Sequence, residues 1–264
     1  MECFICGGRM RPFLEKDFGL ENLGRCEYER CENCGLVVSK TLYEMPPEKW
    51  RALNLECHES YQGSESCDAD PRWLERLHRQ ADLICELYEQ KIFRAGERFL
   101  DYGCGDGKLA DFVNGKISAA AVEKFDEFMT RPEYLQKVSA AEFDAVLTCS
   151  VFEHLIGRRD VEKILGLLKP DGVFLLHTLI CEEVPRDAGW FYFLPPHCTF
   201  FTNAAMKILY RQYGFSGCAY NVGARMWLMF KGAERWREFR SKNLRGEWSY
   251  SAEFVDYWKA KPYR

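Results

Sequence analysis

The spacing of apolar residues predicts alternating helices and strands over most of the chain. Between residues 72 and 93, apolar side chains recur at helical spacing, which predicts a long amphipathic helix. Short apolar runs at residues 98–102 and 117–122 predict two strands, and the residues from 108 onward return to helical spacing between them. Strands that alternate with helices in this way are typical of an α/β fold with a parallel sheet.

The first 45 residues contain two pairs of cysteines and too few apolar residues for a core of their own. Cys3 and Cys6 form one Cys-x-x-Cys pair, Cys31 and Cys34 form the other, and a glycine follows each pair. Four thiolates on two such turns complete the tetrahedral shell that a structural Zn²⁺ prefers. The sequence therefore predicts a small zinc-ribbon-like module at residues 1–45, stabilised by the bound ion.

Other interpretations of these cysteines remain open. A redox-active pair normally begins a helix beside a βαβ unit, whereas both pairs here lie in glycine-containing loops. A second alternative is that the thiols are free and buried. A third is that Cys26 replaces one of the four zinc ligands. Cys57 and His58 are adjacent and suggest a second metal site, although an isolated surface pair is the simpler interpretation.

Prolines and changes of composition mark the predicted domain borders. Met45-Pro46-Pro47 ends the zinc module, because proline interrupts regular structure. Residues 46–94 are expected to form a linker, turn-rich between residues 54 and 71, and the leading helix. The main domain is expected at residues 95–232 and a C-terminal extension at residues 233–264.

The composition of all 264 residues is that of a soluble globular protein, with 47% hydrophobic and 29% charged residues. A formal net charge of −4 argues against a dedicated nucleic-acid-binding protein, which is normally basic. No apolar run approaches the roughly 18 residues of a membrane span, and the N-terminus lacks the features of a signal peptide. We therefore expect a cytoplasmic protein whose 13 cysteines bind metal or are buried, because cytoplasmic thiols stay reduced.

A glycine-rich loop separates the first predicted strand from the helix after it. The sequence reads Asp101-Tyr102-Gly103-Cys104-Gly105-Asp106-Gly107, and its glycines let the backbone approach a ligand while the helix N-terminus offers free amide groups. Glu123 ends the second predicted strand, where an acid is placed to bind ribose hydroxyls. A dinucleotide fingerprint needs a third glycine where Lys108 stands, so NAD and FAD fit poorly.

This loop and two later segments resemble the class I S-adenosylmethionine (SAM) dependent methyltransferases. The spacing Asp-x-Gly-x-Gly-x-Gly resembles their first motif, residues 143–155 resemble their fourth strand and its loop, and residues 167–175 (LLKPDGVFL) resemble the turn into their fifth strand. Order and spacing match over residues 95–232. The resemblance implies SAM as cofactor and a Rossmann-like three-layer α/β sandwich with a largely parallel seven-stranded sheet.

The resemblance also assigns cofactor contacts to residues at the ends of three strands. Those after the first strand are expected at the methionine end of SAM, those after the second at the ribose and adenine, and those after the fourth at the sulfonium. Glu123 in particular is expected to bind the ribose diol. In chain order, the eight assigned residues are Asp101, Tyr102, Gly103, Gly105, Glu123, Lys124, Ser150 and Val151.

Two histidines are candidates for taking the proton that the methyl acceptor releases. His154 follows the fourth strand at the edge where α/β folds bind ligands, and His197 lies in an aromatic, proline-containing loop. Packing within its turn is the alternative role for His154. A second alternative is a divalent ion held by Glu153, His154 and His197. Ubiquinone-pathway and small-RNA 2′-O-methyltransferases carry two acids and a histidine there, and Ser150 stands in place of the first acid.

The cysteine module resembles the zinc module of bacterial sugar-nucleotide C-methyltransferases. The favoured function is therefore methylation of a small hydroxylated or amino metabolite, such as a sugar nucleotide or a natural-product intermediate. A SAM-binding protein without catalytic activity is a further alternative, although the first motif and Glu123 are intact.

An RNA methyltransferase is the main alternative, because residues 231–264 interleave nine basic residues with eight aromatic ones. Docking of those aromatic residues on the body or on a second subunit is the simpler interpretation, since large aromatic side chains seldom remain solvated. The module at residues 1–45, with eight acidic and six basic residues, also argues against a nucleic-acid surface. The eight aromatic residues are Trp236, Phe239, Trp248, Tyr250, Phe254, Tyr257, Trp258 and Tyr263.

Overall fold

Two β-sheets organise the computed structural model, which describes residues 1–62, 70–117, 121–129 and 131–257, without the side chains of residues 58–62. In chain order, the elements are β1 (Met10–Leu20), β2 (Leu23–Cys31), β3 (Val37–Ser39), α1 (Lys40–Tyr43), α2 (Pro47–Gln62), α3 (Pro71–Glu89), β4 (Phe99–Tyr102), α4 (Lys108–Lys116), β5 (Val122–Phe125), β6 (Phe143–Cys149), a 3₁₀ turn (Phe152–His154), α5 (Arg158–Gly166), β7 (Leu168–His177), β8 (Ile180–Cys181), β9 (Thr199–Thr202), α6 (Asn203–Gln212), β10 (Gly217–Asn221), β11 (Met226–Phe230), α7 (Ala233–Arg240) and β12 (Trp248–Ser251).

The larger sheet has the strand order β12-β10-β11-β7-β6-β4-β5. Strands β5, β4, β6 and β7 pair in parallel, because a helix or a long crossover connects each to the next in the chain. Strands β11, β10 and β12 pair antiparallel to their neighbours, since β10 returns directly into β11 through a short turn.

Alternate residues of the central strands pack against helices on opposite faces, which gives three layers. Leu100 and Val146 face the cluster that contains α5 and α6, whereas Phe99 and Ala145 face the cluster that contains α3 and α4. The period of two along each strand produces this division. Burial on both faces explains why the central strands are almost continuously apolar.

The smaller sheet joins the cysteine module to the main domain. Its order is β1-β2-β3-β9-β8, so three strands come from residues 1–45 and two from the chain after β7. The junction is the antiparallel pairing of Val37 with Phe200 and of Val38 with Thr199. The module is therefore continuous with the main domain through backbone hydrogen bonds.

The described part of the C-terminal extension packs on the larger sheet. Trp248 begins β12, which completes the seven strands by pairing with β10. Arg235 forms an ion pair with Glu97, and Arg245 forms one with Glu86 of α3. These contacts favour docking of the extension on the body; Trp258 and Tyr263 lie outside the described residues.

The structure corrects the sequence-based expectation in three places. Seven strands are present, but half of their pairings are antiparallel, so the sheet is mixed rather than largely parallel. The strand predicted at residues 117–122 begins only at Val122, because α4 continues to Lys116. The segment expected to be turn-rich from residue 54 is helical as far as Gln62. The side chain of His58, and with it the suggested second metal site, lies outside the described residues.

Within the described residues, no helix is both long and apolar enough to cross a membrane.

The packing of α7 on β10 leads to a prediction about stability. A Cβ atom on Gly217 would overlap the indole ring of Trp236, so Gly217→Ala should lower the free energy of unfolding by about 1–3 kcal/mol as the ring is displaced. The matched control is Gly115→Ala in α4, where no atom lies within 4 Å, and a gain of up to about 1 kcal/mol is expected. Urea unfolding measures both, and equal effects would contradict the docking of α7.

Candidate active site

Three glycines shape the loop between β4 and α4. Gly103, Gly105 and Gly107 have φ angles of 70°, 56° and 79°, a region that residues with a Cβ atom rarely adopt. A Cβ atom on Gly103 would lie 2.6 Å from Cγ2 of Val151, and one on Gly107 would lie 2.8 Å from Cδ of Lys124. The loop thus lies against its neighbours as closely as only glycine permits.

A cavity of about 320 Å³ opens at this loop. Six predicted site residues line it: Tyr102, Gly103, Gly105, Ser150, Val151 and His154. The other lining residues were not assigned from the sequence: Pro47, Trp50, Arg51, Asp126, Glu127, Phe128, Cys149, Leu155, Ile156 and Asp160. The structure thus brings the glycine loop and one candidate histidine to the same cavity.

Asp126 occupies the position at which the sequence analysis expected Glu123. The parallel register pairs Tyr102 with Phe125, so Asp126 is the first residue beyond β5 at the edge of the glycine loop. Its Oδ2 accepts a hydrogen bond from the amide of Gly105 at 2.9 Å. Its Oδ1 accepts from the amides of Phe128 and Met129, both at 2.8 Å. The carboxylate is therefore held rigidly at the cavity wall.

The structure places Glu123 and Lys124 outside the lining of the cavity. Glu123 lies near the start of β5, where its two oxygens accept hydrogen bonds from Arg98 at 2.8 and 2.7 Å. Lys124 pairs with Asp111 at 2.6 Å. β5 begins later than the sequence predicts, at Val122, so the acid beyond its last residue is Asp126 and not Glu123. The apolar residues Val122 and Phe125, which flank Glu123 and Lys124, are the sequence signal that these two residues lie within the strand.

Asp101 lies beneath the glycine loop rather than on the cavity wall, and it is almost fully buried. Burial, with a smaller contribution from the neighbouring Asp126 and against the opposing effect of Lys124, raises the pKa of its carboxyl to about 7. The carboxyl is thus poised to ionise when a positive charge is placed beside it.

Ser150 and Val151 bring the end of β6 to the cavity. Ser150 has a φ angle of 56°, and its amide donates a hydrogen bond to the carbonyl oxygen of His177 at 2.8 Å. This contact between β6 and β7 holds the backbone in a conformation that is unusual for serine. The chain turns sharply there and carries Val151 against Gly103.

His154 and His197 lie side by side, with ring centroids 5.0 Å apart and nearly perpendicular planes. Nδ1 of His154 lies 3.0 Å from the carbonyl oxygen of Pro196, and Nδ1 of His197 lies 2.9 Å from that of Tyr192. Because a carbonyl oxygen only accepts, each Nδ1 donates, and in the neutral ring Nε2 carries the lone pair.

Glu153 is the third member of this cluster. Its Oε2 accepts a hydrogen bond from the hydroxyl of Thr178, and its Oε1 accepts from that of Tyr192, both at 2.8 Å. One ligand atom from each of Glu153, His154 and His197 lies within 4.8 Å of the others. The arrangement suits an oriented histidine base, and it equally suits a divalent ion, because metal-ligating histidines commonly donate Nδ1–H to a carbonyl group.

Helix α2 covers the cavity, which the sequence analysis missed. Trp50 and Arg51 line it, and the guanidinium of Arg51 lies 5.6 Å from the ring centroid of Phe128. Trp50, Leu53 and Cys57 recur at helical spacing, a signal that the many polar residues of this segment concealed.

A polar pair on α3 and β7 lies behind the cavity. Nη1 of Arg76 lies 3.1 Å from Nε2 of His177, whose Nδ1 lies 2.7 Å from the carbonyl oxygen of Arg225. Burial lowers the pKa of His177 to about 3, with a further contribution from Arg76, so the ring stays neutral and accepts from the guanidinium. Nε of Arg76 is buried and has no hydrogen-bond partner within the described part of the chain.

The four predicted metal-binding cysteines form one cluster within the module. Sγ of Cys3 lies 3.6 Å from that of Cys34, and Sγ of Cys6 lies 3.4 Å from that of Cys31, so each close pair joins the two turns. Zn–S bonds of about 2.3 Å in a tetrahedron place sulfur atoms about 3.8 Å apart, close to these distances. Cys26, a residue of β2, lies outside this cluster and is buried in the hydrophobic cluster that also contains Tyr28 and Trp50.

Backbone amides and close packing surround the sulfur atoms of this cluster. The amide of Gly8 donates to Sγ of Cys6 at 3.4 Å, and the amide of Cys34 donates to Sγ of Cys31 at 3.5 Å. A Cβ atom on Gly8 would lie 2.9 Å from Sγ of Cys31, so glycine is required beside the cluster. The donor set therefore fits a closed structural zinc site.

Comparison with known proteins identifies related sequences and structures. A methyltransferase domain family matches residues 71–219. The cyclopropane-fatty-acyl-phospholipid synthase of Escherichia coli (strain K12) is 28% identical over 139 residues, which cover 44% of this chain and 35% of that protein. The chain thus matches about a third of the length of this curated relative.

Among solved structures, coclaurine N-methyltransferase is 20% identical with a TM-score of 0.40, over 54% of this chain and 50% of that chain. The mitomycin 7-O-methyltransferase is 17% identical with a TM-score of 0.43, over 71% of this chain and 69% of that chain. The plantazolicin methyltransferase is 12% identical with a TM-score of 0.45, over 70% of this chain and 99% of that chain.

The raised pKa of Asp101 predicts how its replacement affects stability. In the unfolded chain this carboxyl ionises near pH 4, so raising the pH towards 7 and above charges the unfolded state first and destabilises the fold. We expect Asp101→Asn to remove this penalty and to raise the melting temperature relative to the natural chain at pH 8.5. At pH 5 the native carboxyl is protonated while the unfolded one is already largely ionised, so the gain should shrink to about 1.5 kcal/mol, and it should vanish only below about pH 4.

The expected gain at pH 8.5 is a few kcal/mol, following about 1.4 kcal/mol per pKa unit. Asp171→Asn, at an exposed position, is the matched control and should show little dependence on pH. A melting-temperature difference for Asp101→Asn that stays constant from pH 5 to 8.5 would contradict the buried, protonated carboxyl.

Proposed function

Because the chain belongs to the methyltransferase domain family, we propose that it uses SAM to methylate a small metabolite at a hydroxyl or amino group. A sugar nucleotide or a natural-product intermediate is the proposed class of acceptor. The observation that carries this proposal is the single cavity that contains both the glycine loop and His154 beneath α2. Such a covered cavity suits a small acceptor better than a polymer.

The cavity offers groups that match the parts of SAM. Asp126 is the proposed ribose ligand in place of Glu123, because its carboxylate borders the cavity beside Gly105. The ammonium group of SAM would stabilise the ionised form of Asp101, whose pKa is raised in its absence. Arg76 is the proposed partner for the carboxylate of SAM. Its Nε is buried near Cys149 and donates no hydrogen bond within the described residues.

The acceptor is proposed to enter beneath Trp50 and to meet His154. In the transfer, the acceptor's nucleophilic atom bonds to the methyl carbon while the bond from that carbon to sulfur breaks, and S-adenosylhomocysteine is released. The acceptor's proton passes to Nε2 of His154 or His197. The alternative is that Glu153 and both histidines hold a divalent ion that binds the acceptor oxygen and lowers its pKa.

A structural Zn²⁺ is the proposed occupant of the four-cysteine cluster. An RNA acceptor remains the second candidate, supported by the basic residues of the C-terminal extension. The described part of that extension is bound to the body, with Arg245 paired to Glu86 and Arg235 to Glu97. We therefore favour the small acceptor.

The acceptor class is tested by incubating the purified protein and methyl-labelled SAM with cell extract that has been separated into small molecules, RNA and protein. We expect label in the small-molecule fraction, where mass spectrometry identifies the product. Label confined to RNA would overturn the small-acceptor proposal and favour the alternative. Absence of label from every fraction would count against catalytic activity.

The same assay tests whether His154 and His197 act as a base or as ligands of a divalent ion. His197→Ala should slow incorporation of label while leaving the SAM dissociation constant nearly unchanged. If the histidines act as a base, a chelator of Mg²⁺ and Mn²⁺ leaves the rate unchanged. If they hold an ion, the chelator stops incorporation and added Mn²⁺ restores it.

The ribose ligand is tested by a pair of isosteric variants. We expect Asp126→Asn to weaken SAM binding about tenfold or more, because a charged hydrogen-bond acceptor to the ribose is lost. Glu123→Gln should leave SAM affinity within about twofold, since that side chain binds Arg98 away from the cavity. Calorimetry measures both. The reverse ranking would restore Glu123 as the ribose ligand.

A further inference from the structure

The module at residues 1–45 and the aromatic loop at residues 189–198, here called the His197 loop, share one hydrophobic cluster. Tyr28 of β2 packs against Phe193 of the loop and Phe200 of β9, with ring centroids 4.8 and 5.9 Å apart. Trp50 of α2 belongs to the same cluster and also lines the candidate cavity. The cluster therefore extends from the module to the acceptor side of the cavity.

Hydrogen bonds fix the His197 loop to the module at its middle and at its C-terminal end. The amide of Ser39 donates to the carbonyl oxygen of Cys198 at 2.7 Å, directly after His197. Nζ of Lys16 donates to the carbonyl oxygen of Phe193 at 2.8 Å. The hydroxyl of Thr202 donates to the carbonyl oxygen of Cys34, which is one of the clustered cysteines.

The same loop is tied to the candidate catalytic cluster. The amide of Cys198 donates to the carbonyl oxygen of Glu153 at 2.8 Å, and the ring of His197 contacts that of Tyr192, whose hydroxyl donates to Glu153. His197 thus lies between the module on one side and the 3₁₀ turn that carries Glu153 and His154 on the other.

The cofactor side of the cavity depends less directly on the module. In the described part of the chain, no hydrogen bond joins residues 1–45 to the glycine loop at residues 103–107. The hydrophobic cluster that contains α3, α4 and one face of β4 includes no residue from the module, whereas the other face, with Leu100 and Tyr102, shares a cluster with the module. Loss of order in the module should therefore reach His197 before it reaches the glycine loop.

We infer that the four-cysteine module is a positioning element of the acceptor half of the site. The ion held by Cys3, Cys6, Cys31 and Cys34 orders the module, β3 and Lys16 then hold the His197 loop, and the loop holds the imidazole of His197 beside Glu153 and His154. This inference rests on the proposed function for the identity of the two halves. The coupling itself is a property of the fold and is measurable without an acceptor.

Hydrogen–deuterium exchange with mass spectrometry tests the coupling on the full chain, first loaded with Zn²⁺ and then treated with a chelator. We expect exchange to rise about tenfold or more in residues 1–45 and also in residues 189–202. Residues 99–117, which contain the glycine loop, should keep their protection. Calorimetry should show the dissociation constant for SAM unchanged within about threefold.

A lysine pair tests the link without disturbing any cysteine. Lys16→Met removes the bond to Phe193 and should raise exchange in residues 190–197 while one Zn²⁺ per chain is retained by metal analysis. Lys16→Arg, which keeps a donor, should restore protection. Lys49→Met, at an exposed position of α2, is the matched control and should change nothing.

Two results would overturn the inference. Protection of residues 189–202 that survives removal of the ion would show that the module does not hold the loop. A rise in exchange throughout the chain, with loss of SAM binding, would make the module a general stabiliser instead. If the zinc-loaded chain itself failed to bind SAM, the proposed function would fail, whereas the exchange data would still report on the coupling.

Discussion

The candidate site depends on the parallel pairing of β4 with β5 and with β6. Parallel strands end at a common edge, so this pairing places the glycine loop, Asp126 and Ser150 around one cavity although they are far apart in the chain. The close approach is possible because Gly103 has no side chain where Val151 fills the space. The proposed contacts of the glycine loop and of Asp126 follow from this edge, whereas Arg76 is supplied by α3.

The acceptor side is built on a second constraint, the antiparallel junction of β3 with β9. This junction makes the module at residues 1–45 part of the main domain's structure, since two of its backbone pairs lie within five residues of His197. The cavity consequently has two walls, which share part of their hydrophobic support. One wall is the parallel sheet, and the other is a hydrophobic cluster supplied jointly by the module, α2 and the His197 loop.

Motifs that act through local backbone geometry were readable from the sequence. The glycine loop was placed correctly between a strand and a helix, because its glycines are needed wherever the chain adopts positive φ angles. The four cysteines were grouped correctly for a similar reason, since each Cys-x-x-Cys turn presents two sulfur atoms locally. The end of β5 was harder to predict, because Glu123 and Asp126 are both acids near a strand end. Only the pairing of Tyr102 with Phe125 shows that Asp126 is the acid just beyond the strand.

The sequence by itself determined an α/β chain with a methyltransferase-like glycine loop, a four-cysteine module and two candidate histidines. The tertiary structure decided that the sheet is mixed, that Asp126 rather than Glu123 borders the cavity, and that α2 covers it. It also decided that the loop carrying His197 is hydrogen-bonded to the module. Local motifs are encoded by neighbouring residues, whereas strand order, register and burial depend on contacts between distant segments that no single segment specifies.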